Sequence, residues 1–365
     1  MRILMIGEYS GYFNCLKHGF QKLGHTCFLA SAGDGYKNYP SDFRWDSHLH
    51  LGKYQKYYNY SNVLFHLPKF TGYDVVLFIS PSQFGRFAKT NKPVYDFIVK
   101  HNKLTYLVSA GLYSYSNKYW YEHKESKYYG YVSCDLEACK TEKDKSYYFS
   151  DKGIEWENYN VSRFTGIIPI WYEYAEPYRD FPNLKKTIRT PVVIDKFEYK
   201  TNVVRDDKVV FFHGLSRPCK GGKYILAAFD RLREKHKDDA EFITAGGLPF
   251  DDYMKIIDRT NVVVDDANSY SFCMNAFFSM LKGKIVMGGA EPEGNKELDY
   301  EDVPVVNIKA DVDQICDAIE YIISRKDEIE SWGLKSRRFV EKYHDSVDVA
   351  KQFIDLFEKD MKRSK

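Results

Sequence analysis

The segment His213-Gly214-Leu215-Ser216-Arg217-Pro218-Cys219-Lys220-Gly221-Gly222 sets two cations, Arg217 and Lys220, between an apolar run and an amphipathic one. A diphosphate needs cations and unpaired backbone N–H groups where its charge collects, and a strand-to-helix junction offers both. At an intermediate dielectric a close charge pair supplies about 4 kcal/mol before desolvation, enough to matter to a transition state. The plain alternative is an exposed basic turn.

Other residues compete for a chemical role. Glu291 and Glu293 lie in the turn Gly288-Gly289-Ala290-Glu291-Pro292-Glu293-Gly294-Asn295 after a predicted strand, where they would meet hydroxyls of a ligand or simply be solvated. His123 follows the predicted strand end at Ser109-Ala110-Gly111; it is a candidate to orient an acceptor, although a lone histidine is more often structural. Gly7-Glu8-Tyr9-Ser10-Gly11 joins a strand to a helix without the G-x-G-x-x-G spacing of a dinucleotide fingerprint. Asp311-Val312-Asp313 has the D-x-D pattern of a metal site, but its place before Ile315, Ala318 and Ile322 makes Asp311 a better helix cap. No metal is expected. There is no Ser-His-Asp triad, P-loop or H-E-x-x-H sequence to consider.

These residues need elements to hold them. Residues 2–6 read as a buried parallel strand ending at Gly7, and Phe13, Leu16, Phe20 and Leu23 recur at helical spacing up to Gly24. Further strands are expected at 26–31, 74–80, 104–109 and 163–170, giving β/α alternation and a doubly wound sheet. The aromatic stretch 113–131 reads as loop and short helix, and 183–207 as a linker. A second alternation starts at Lys208, with a helix from about 220 to 235 and strands at 240–245, 261–265, 284–288 and 303–308. The expected domains are 1–190 and 191–345, followed by a helix and basic tail over 346–365, with the helix crossing back to the first domain.

At 365 residues the chain is too long for one ordinary core. Lys+Arg 53 against Asp+Glu 51 leave a net charge of +2, so there is no cationic excess for nucleic acid and any anion must be gripped locally. Seven cysteines without a C-x-x-C pair fit buried thiols in a reducing compartment. The first apolar run is too short for a signal-peptide core, and no run approaches the roughly 18 residues of a membrane span. A cytoplasmic protein is expected, with the tail Lys362-Arg363-Ser364-Lys365 either frayed in solvent or resting on anionic lipid at the inner membrane face. Aromatics are 17% of the chain and read as core packing before sugar stacking.

The 213–222 segment resembles the donor-binding motif of family 4 glycosyltransferases with the GT-B fold, in which an Arg and a Lys followed by Gly stand at this junction. The likeness continues through Asp265-Asp266-Ala267-Asn268-Ser269-Tyr270-Ser271-Phe272, the helix 273–282 and Gly283-Lys284-Ile285-Val286-Met287-Gly288. It implies an α/β chain of two Rossmann-like domains facing across a cleft. It further implies retaining transfer of a hexose-type sugar from a nucleotide diphosphate sugar to a glycan or lipid-linked glycan. Arg217 and Lys220 would stabilise the leaving group, with Gly214, Ser216 and Gly221 around them; Gly246 and Gly247 would lie near the base. Gly7, Tyr9, Ser10 and Gly11 would meet phosphate or acceptor. The family also places two glutamates eight positions apart, where this chain has Tyr270 and Phe278. Either Asn268, Ser269, Ser271, Phe272 and Asn275 hold the donor differently, or the fold serves a non-catalytic nucleotide-sugar or glycan binder; a nucleotide-sugar epimerase is a further alternative.

Overall fold

The computed structural model describes residues 1–46, 51–84, 88–128, 149–215, 220–248 and 250–363. Among these, residues 1–122, 149–193 and 345–363 form one compact unit, and residues 123–128 and 194–344 form another.

The first unit is built on six parallel strands: β1 (Arg2–Ile6), β2 (Thr26–Ser31), β3 (Phe43–Arg44), β4 (Val75–Phe78), β5 (Leu104–Ser109) and β6 (Gly166–Pro169). Their order is β3-β2-β1-β4-β5-β6. Ile3, Leu4, Met5 and Ile6 are all fully buried, which follows from β1 having β2 on one side, β4 on the other and packing on both faces. Alternate residues of one strand therefore feed two cores, one holding Ile3 and Met5, the other Leu4 and Ile6. The chain leaves β1 for β2 and returns on the other side for β4, so the loops after β1 and β4 diverge at a topological switch point.

Tyr12, Phe13, Leu16 and Phe20 form the buried face of the helix Tyr12–Lys22. Against it lies the last helix, Ser346–Arg363, with Phe20 edge-on to Phe353 at 6.1 Å and tilted against Phe357 at 6.2 Å. Close approach is possible because residue 19 is glycine; a Cβ there would stand 2.0 Å from the Ser346 carbonyl oxygen. The final helix is thus part of the first unit. Aromatic residues pack its interior too, as in the stacks of Phe78 on Tyr95 and on Phe164.

Five parallel strands make the second sheet: β7 (Val209–Leu215), β8 (Ala240–Gly246), β9 (Val262–Val264), β10 (Ile285–Gly288) and β11 (Val306–Asn307), ordered β11-β10-β9-β7-β8. Here β7 is followed by β8 on one side and β9 on the other, which puts a second switch point between the carboxyl ends of β7 and β9. The helix Gly222–Arg233 covers this sheet with Ile225, Ala228, Phe229 and Leu232, the spacing of one helical face.

Two details differ from the sequence expectation. The segment 288–295 is not all turn: Glu291 is the N-cap of a short helix, Pro292–Glu297, because proline's fixed φ suits the first helical turn. Residues 123–128 group with the second unit because Lys127 and Tyr128 bond to Glu291.

Phe353→Ala should destabilise the protein by roughly 3–5 kcal/mol, the usual loss for emptying a fully buried phenylalanine site. Urea denaturation measures this; a loss within experimental error would show that the last helix contributes nothing to the first core.

Candidate functional site

The switch point of the second sheet is occupied by charge. Past β7 the chain reaches Lys220, whose carbonyl accepts a hydrogen bond from the Ala267 amide at 3.1 Å and so ties the loop after β7 to the loop after β9. Gly221 follows with φ +74, and a Cβ there would meet Ala267 at 3.2 Å; both the left-handed backbone and the close approach call for glycine. The helix Gly222–Arg233 then begins after an N-cap glycine, which has no side chain to cap it, and its first turn carries no acidic residue. Beneath it, His213 is buried with Nδ1 2.8 Å from the Val264 carbonyl oxygen, and burial lowers its pKa, keeping the ring neutral.

Lys220 Nζ lies 3.1 Å from Asp265 Oδ1 and 4.0 Å from Asp266 Oδ2. Burial alone would depress the ammonium's pKa; attraction to Asp265 and Asp266 overcomes it and holds Lys220 well above the ordinary lysine value. Burial likewise works to raise Asp265, but Lys220 and bonds from Cys273 and Asn275 bring it below the usual carboxylate range. Cys273 Sγ donates to Asp265 Oδ2 at 3.1 Å, and burial and the Asp265 charge push its thiol up to about 12, so it is no thiolate at neutral pH. Asn275 donates to Asp265 Oδ1 at 3.2 Å and accepts from Tyr253 at 2.8 Å. Cys273 is also the N-cap of the helix Met274–Leu281; its own side chain does not cap that helix, whose first turn carries no acid. Two helix openings and one ammonium therefore converge on one region, against two carboxylates.

The loop 268–272 is tightly held. The Asn268 amide donates to Asp266 at 2.9 Å and Ser269 Oγ to the Ser271 carbonyl at 2.9 Å. Tyr270 is buried edge-on to Tyr128 at 4.8 Å, and its carbonyl accepts from the Glu291 amide at 3.0 Å. The Phe272 ring lies within an aromatic cluster with Phe277, Tyr300 and Phe339. Phe278 stacks on Phe197 at 4.8 Å. Glu291 is 2% exposed and accepts from Lys127 at 2.7 Å, Tyr128 at 2.9 Å and Asn307 at 2.8 Å. Burial raises its pKa, but those three bonds prevail and keep it below the ordinary glutamate value. Glu293 shares Lys127 at 2.7 Å.

Among the sequence candidates, Lys220, Gly221 and Asn275 therefore lie around Asp265 or its adjoining loop. Gly214 stands near Tyr253, 3.1 Å from where a Cβ would project, while Gly246 and Gly247 are exposed at the end of β8. Ser216 and Arg217 lie outside the described residues, as do Cys134, Cys139 and Cys219. His123 is partly buried and its carbonyl accepts from Ser126 at 3.0 Å. Sequence reasoning missed Asp265, Asp266, Cys273 and Tyr253 as partners of Lys220, and Lys127 and Tyr128 as partners of Glu291. The position of Asp265 directly after the apolar strand 262–264 was the available signal.

In the first unit the loop after β1 has its own polar network. Gly7 has φ +91 and a Cβ there would be 2.4 Å from Ile79, so the loops after β1 and β4 touch. Tyr9 bonds to Ser80, Tyr113 and Gln83. Ser10 has φ 53 and donates its amide to Asp34 at 2.8 Å, while Lys37 bonds both Ser10 Oγ and Asp34 at 2.8 Å. Gly11, with φ 82, is the N-cap of the helix Tyr12–Lys22. Glu8 supplies the missing caps: its carboxylate accepts from the amides of Phe13 at 3.3 Å and Asn14 at 2.9 Å. Burial outweighs these bonds and pushes Glu8 up to about 7. Among the described residues no group of three or more His, Cys, Asp or Glu could hold a metal ion. Asp311 caps the helix Val312–Ile323, accepting from Asp313 at 2.9 Å and Gln314 at 3.2 Å.

No family model and no curated protein sequence matches the chain. Solved structures do. HepE of Anabaena in complex with UDP superposes with a TM-score of 0.63 at 12% identity over 98% of this chain and 100% of that one. Sucrose-phosphate synthase from Thermosynechococcus elongatus gives 0.64 at 12% identity, over 98% and 99%. UDP-GlcNAc 2-epimerase from Neisseria meningitidis bound to UDP-GlcNAc gives 0.54 at 10% identity, over 98% and 100%. The fold is α/β of the GT-B class, with two Rossmann-like units.

The raised Glu8 pKa has a signed consequence for stability. The folded state binds a proton that the unfolded chain releases near the ordinary value of 4.5, so this contribution is complete below that pH and is lost as pH rises through about 7. Glu8→Gln should remove a decline on the order of 3 kcal/mol between those limits. Urea melts across that range test it; identical pH slopes for the two proteins would show that Glu8 does not titrate abnormally.

Proposed function

We propose that the chain is a glycosyltransferase that draws a hexose-type sugar from a nucleotide diphosphate sugar, retains the anomeric configuration in the manner of family 4, and delivers it to a glycan or lipid-linked glycan in the cytoplasm without a metal. The observation that carries the reading is the meeting of Lys220 with the openings of two helices beside the β7–β9 switch point. Anions bind helix openings, and α/β sheets bind ligands outside strand carboxyl ends where the strand order reverses. The likeness to structures solved with UDP supports the same class of ligand.

In the reaction, the bond from the anomeric carbon to the diphosphate oxygen breaks as the acceptor oxygen bonds to that carbon on the same face. The acceptor proton passes to the departing phosphate oxygen. Lys220, Arg217 and the N–H groups at Gly222–Lys223 and at the start of Met274–Leu281 receive the growing negative charge. Because Asp265 and Asp266 already face Lys220, the diphosphate needs the second cation, Arg217, to find net attraction.

Tyr270 and Phe278, where the resemblance calls for glutamates, favour a second reading: a protein that binds a nucleotide sugar without transferring it. A panel of nucleoside diphosphates and their sugars, read first by thermal shift and then by product formation with membrane-derived glycan acceptors, separates the readings. One nucleotide class should raise the melting temperature by mass action, and transfer should follow. Binding without transfer selects the second reading, and donor conversion without acceptor selects an epimerase. Arg217→Ala should slow transfer about 100- to 1,000-fold. The double variant Lys220→Met/Asp265→Asn, which removes both members of the closest ion pair rather than stranding one of them, should lose the thermal shift. Wild-type transfer in both variants would remove the diphosphate site.

A further inference from the structure

We propose that the helix Gln55–Phe65 of the first unit, with the turn before it, is a docking surface for an anionic lipid bilayer. The proposal does not depend on the transfer reaction.

Tyr54, Tyr57, Tyr58, Leu64 and Phe65 recur at the 3, 4, 10 and 11 spacings of one helical stripe. That stripe is turned away from the core. Tyr54 and Tyr57 are each 62% exposed and Phe65 is 83% exposed, whereas Val63 on the opposite side is buried and Tyr60 packs against the core. An amphipathic helix in a soluble domain normally has one apolar face, and that face is spent inward. This helix has apolar character on both, so its outward stripe requires a partner or remains exposed to water.

Charge selects the partner. From residue 47 to residue 73 the sequence contains no Asp or Glu, while Lys53, Lys56 and Lys69 all fall in it. None of the three pairs with a carboxylate among the described residues; Lys53 and Lys56 rest over the rings of Tyr54 and Tyr57 at 5.2 and 5.0 Å. Tyrosine rings with a polar tip, a protruding phenylalanine and flanking lysines match the interfacial zone of a bilayer, where rings sit at headgroup depth and cations meet phosphate. A second copy fits less well, because a twofold contact sets the same patch against itself and brings like charges together.

The test is co-sedimentation of the full chain with vesicles of phosphatidylcholine alone and of phosphatidylcholine mixed with phosphatidylglycerol. The wild type should sediment with the mixed vesicles only. Lys53→Glu/Lys56→Glu should weaken this by at least about fivefold for each lysine, the effect of one cation near an anionic surface. Leu64→Ser/Phe65→Ser, at exposed positions, should abolish it with an unchanged melting temperature. Phe65→Trp should bind and shift its emission to the blue. Lys362→Gln/Arg363→Gln, in the basic tail, should leave binding intact. The proposal is overturned if the wild type stays in the supernatant, if the tail variant alone loses binding, or if the chain is a dimer that Leu64→Ser/Phe65→Ser dissociates.

Discussion

A half-buried ammonium held 3.1 Å from a buried carboxylate, Lys220 on Asp265, is the constraint from which the rest of the second unit's site follows. The carboxylate is not tolerable there alone, since stripping water from a charge costs several kcal/mol unless a partner restores it. The pairing is possible only because β7 and β9 are adjacent and parallel, with Phe212 opposite Val263 and His213 opposite Val264. Adjacent parallel strands release their loops side by side at the same edge. The Ala267 amide bonding to the Lys220 carbonyl then fixes the loops to each other. Sheet topology, rather than any local motif, thereby creates the charge pair.

The same geometry limits what the site can bind. One ammonium opposed by two carboxylates repels an anion unless helix N–H groups and a further cation tip the balance, and neither helix that opens here is capped by the side chain of its own N-cap residue. Contrast this with the first unit, where the equivalent helix opening after β1 is filled internally by the Glu8 carboxylate. An anion arriving there would find the N–H groups taken and a buried acid in their place.

Much of this was legible in the sequence. Unbroken apolar runs such as Ile3–Ile6 mark strands buried on both faces, and the spacing of Ile225, Phe229 and Leu232 marks a helix laid on a sheet. Glycine and the cations of the 213–222 segment pointed to the strand-to-helix junction. What could not be read was partnership across the chain. Nothing near Lys220 in sequence announces Asp265, which lies 45 residues away, and nothing near Glu291 announces Tyr128, which lies 163 away. Glu8 was visible as a residue but its role was not, because a cap that reaches five and six residues ahead depends on how the loop folds back. The helix Pro292–Glu297 escaped because three glycines and two glutamates around a proline read as a turn, although that proline suits a helix start.

The aromatic residues at positions 270 and 278 are part of the packing of the second unit. Phe278 is stacked on Phe197 and Tyr270 is set against Tyr128, so each position is filled by a ring that packs with another ring from a distant part of the same unit. Tyr270 is buried, so a carboxylate in its place would be stripped of water and would need a partner to offset that cost. Glu291, by contrast, is a carboxylate this unit does bury, and it does so only by giving it Lys127, Tyr128 and Asn307. Glu291 is joined to the 270 loop by its amide, which donates to the Tyr270 carbonyl. A ligand that seeks a hydroxyl acceptor here must compete with Lys127 and Tyr128 for Glu291, and that competition ties occupancy of this part of the site to the position of residues 127 and 128.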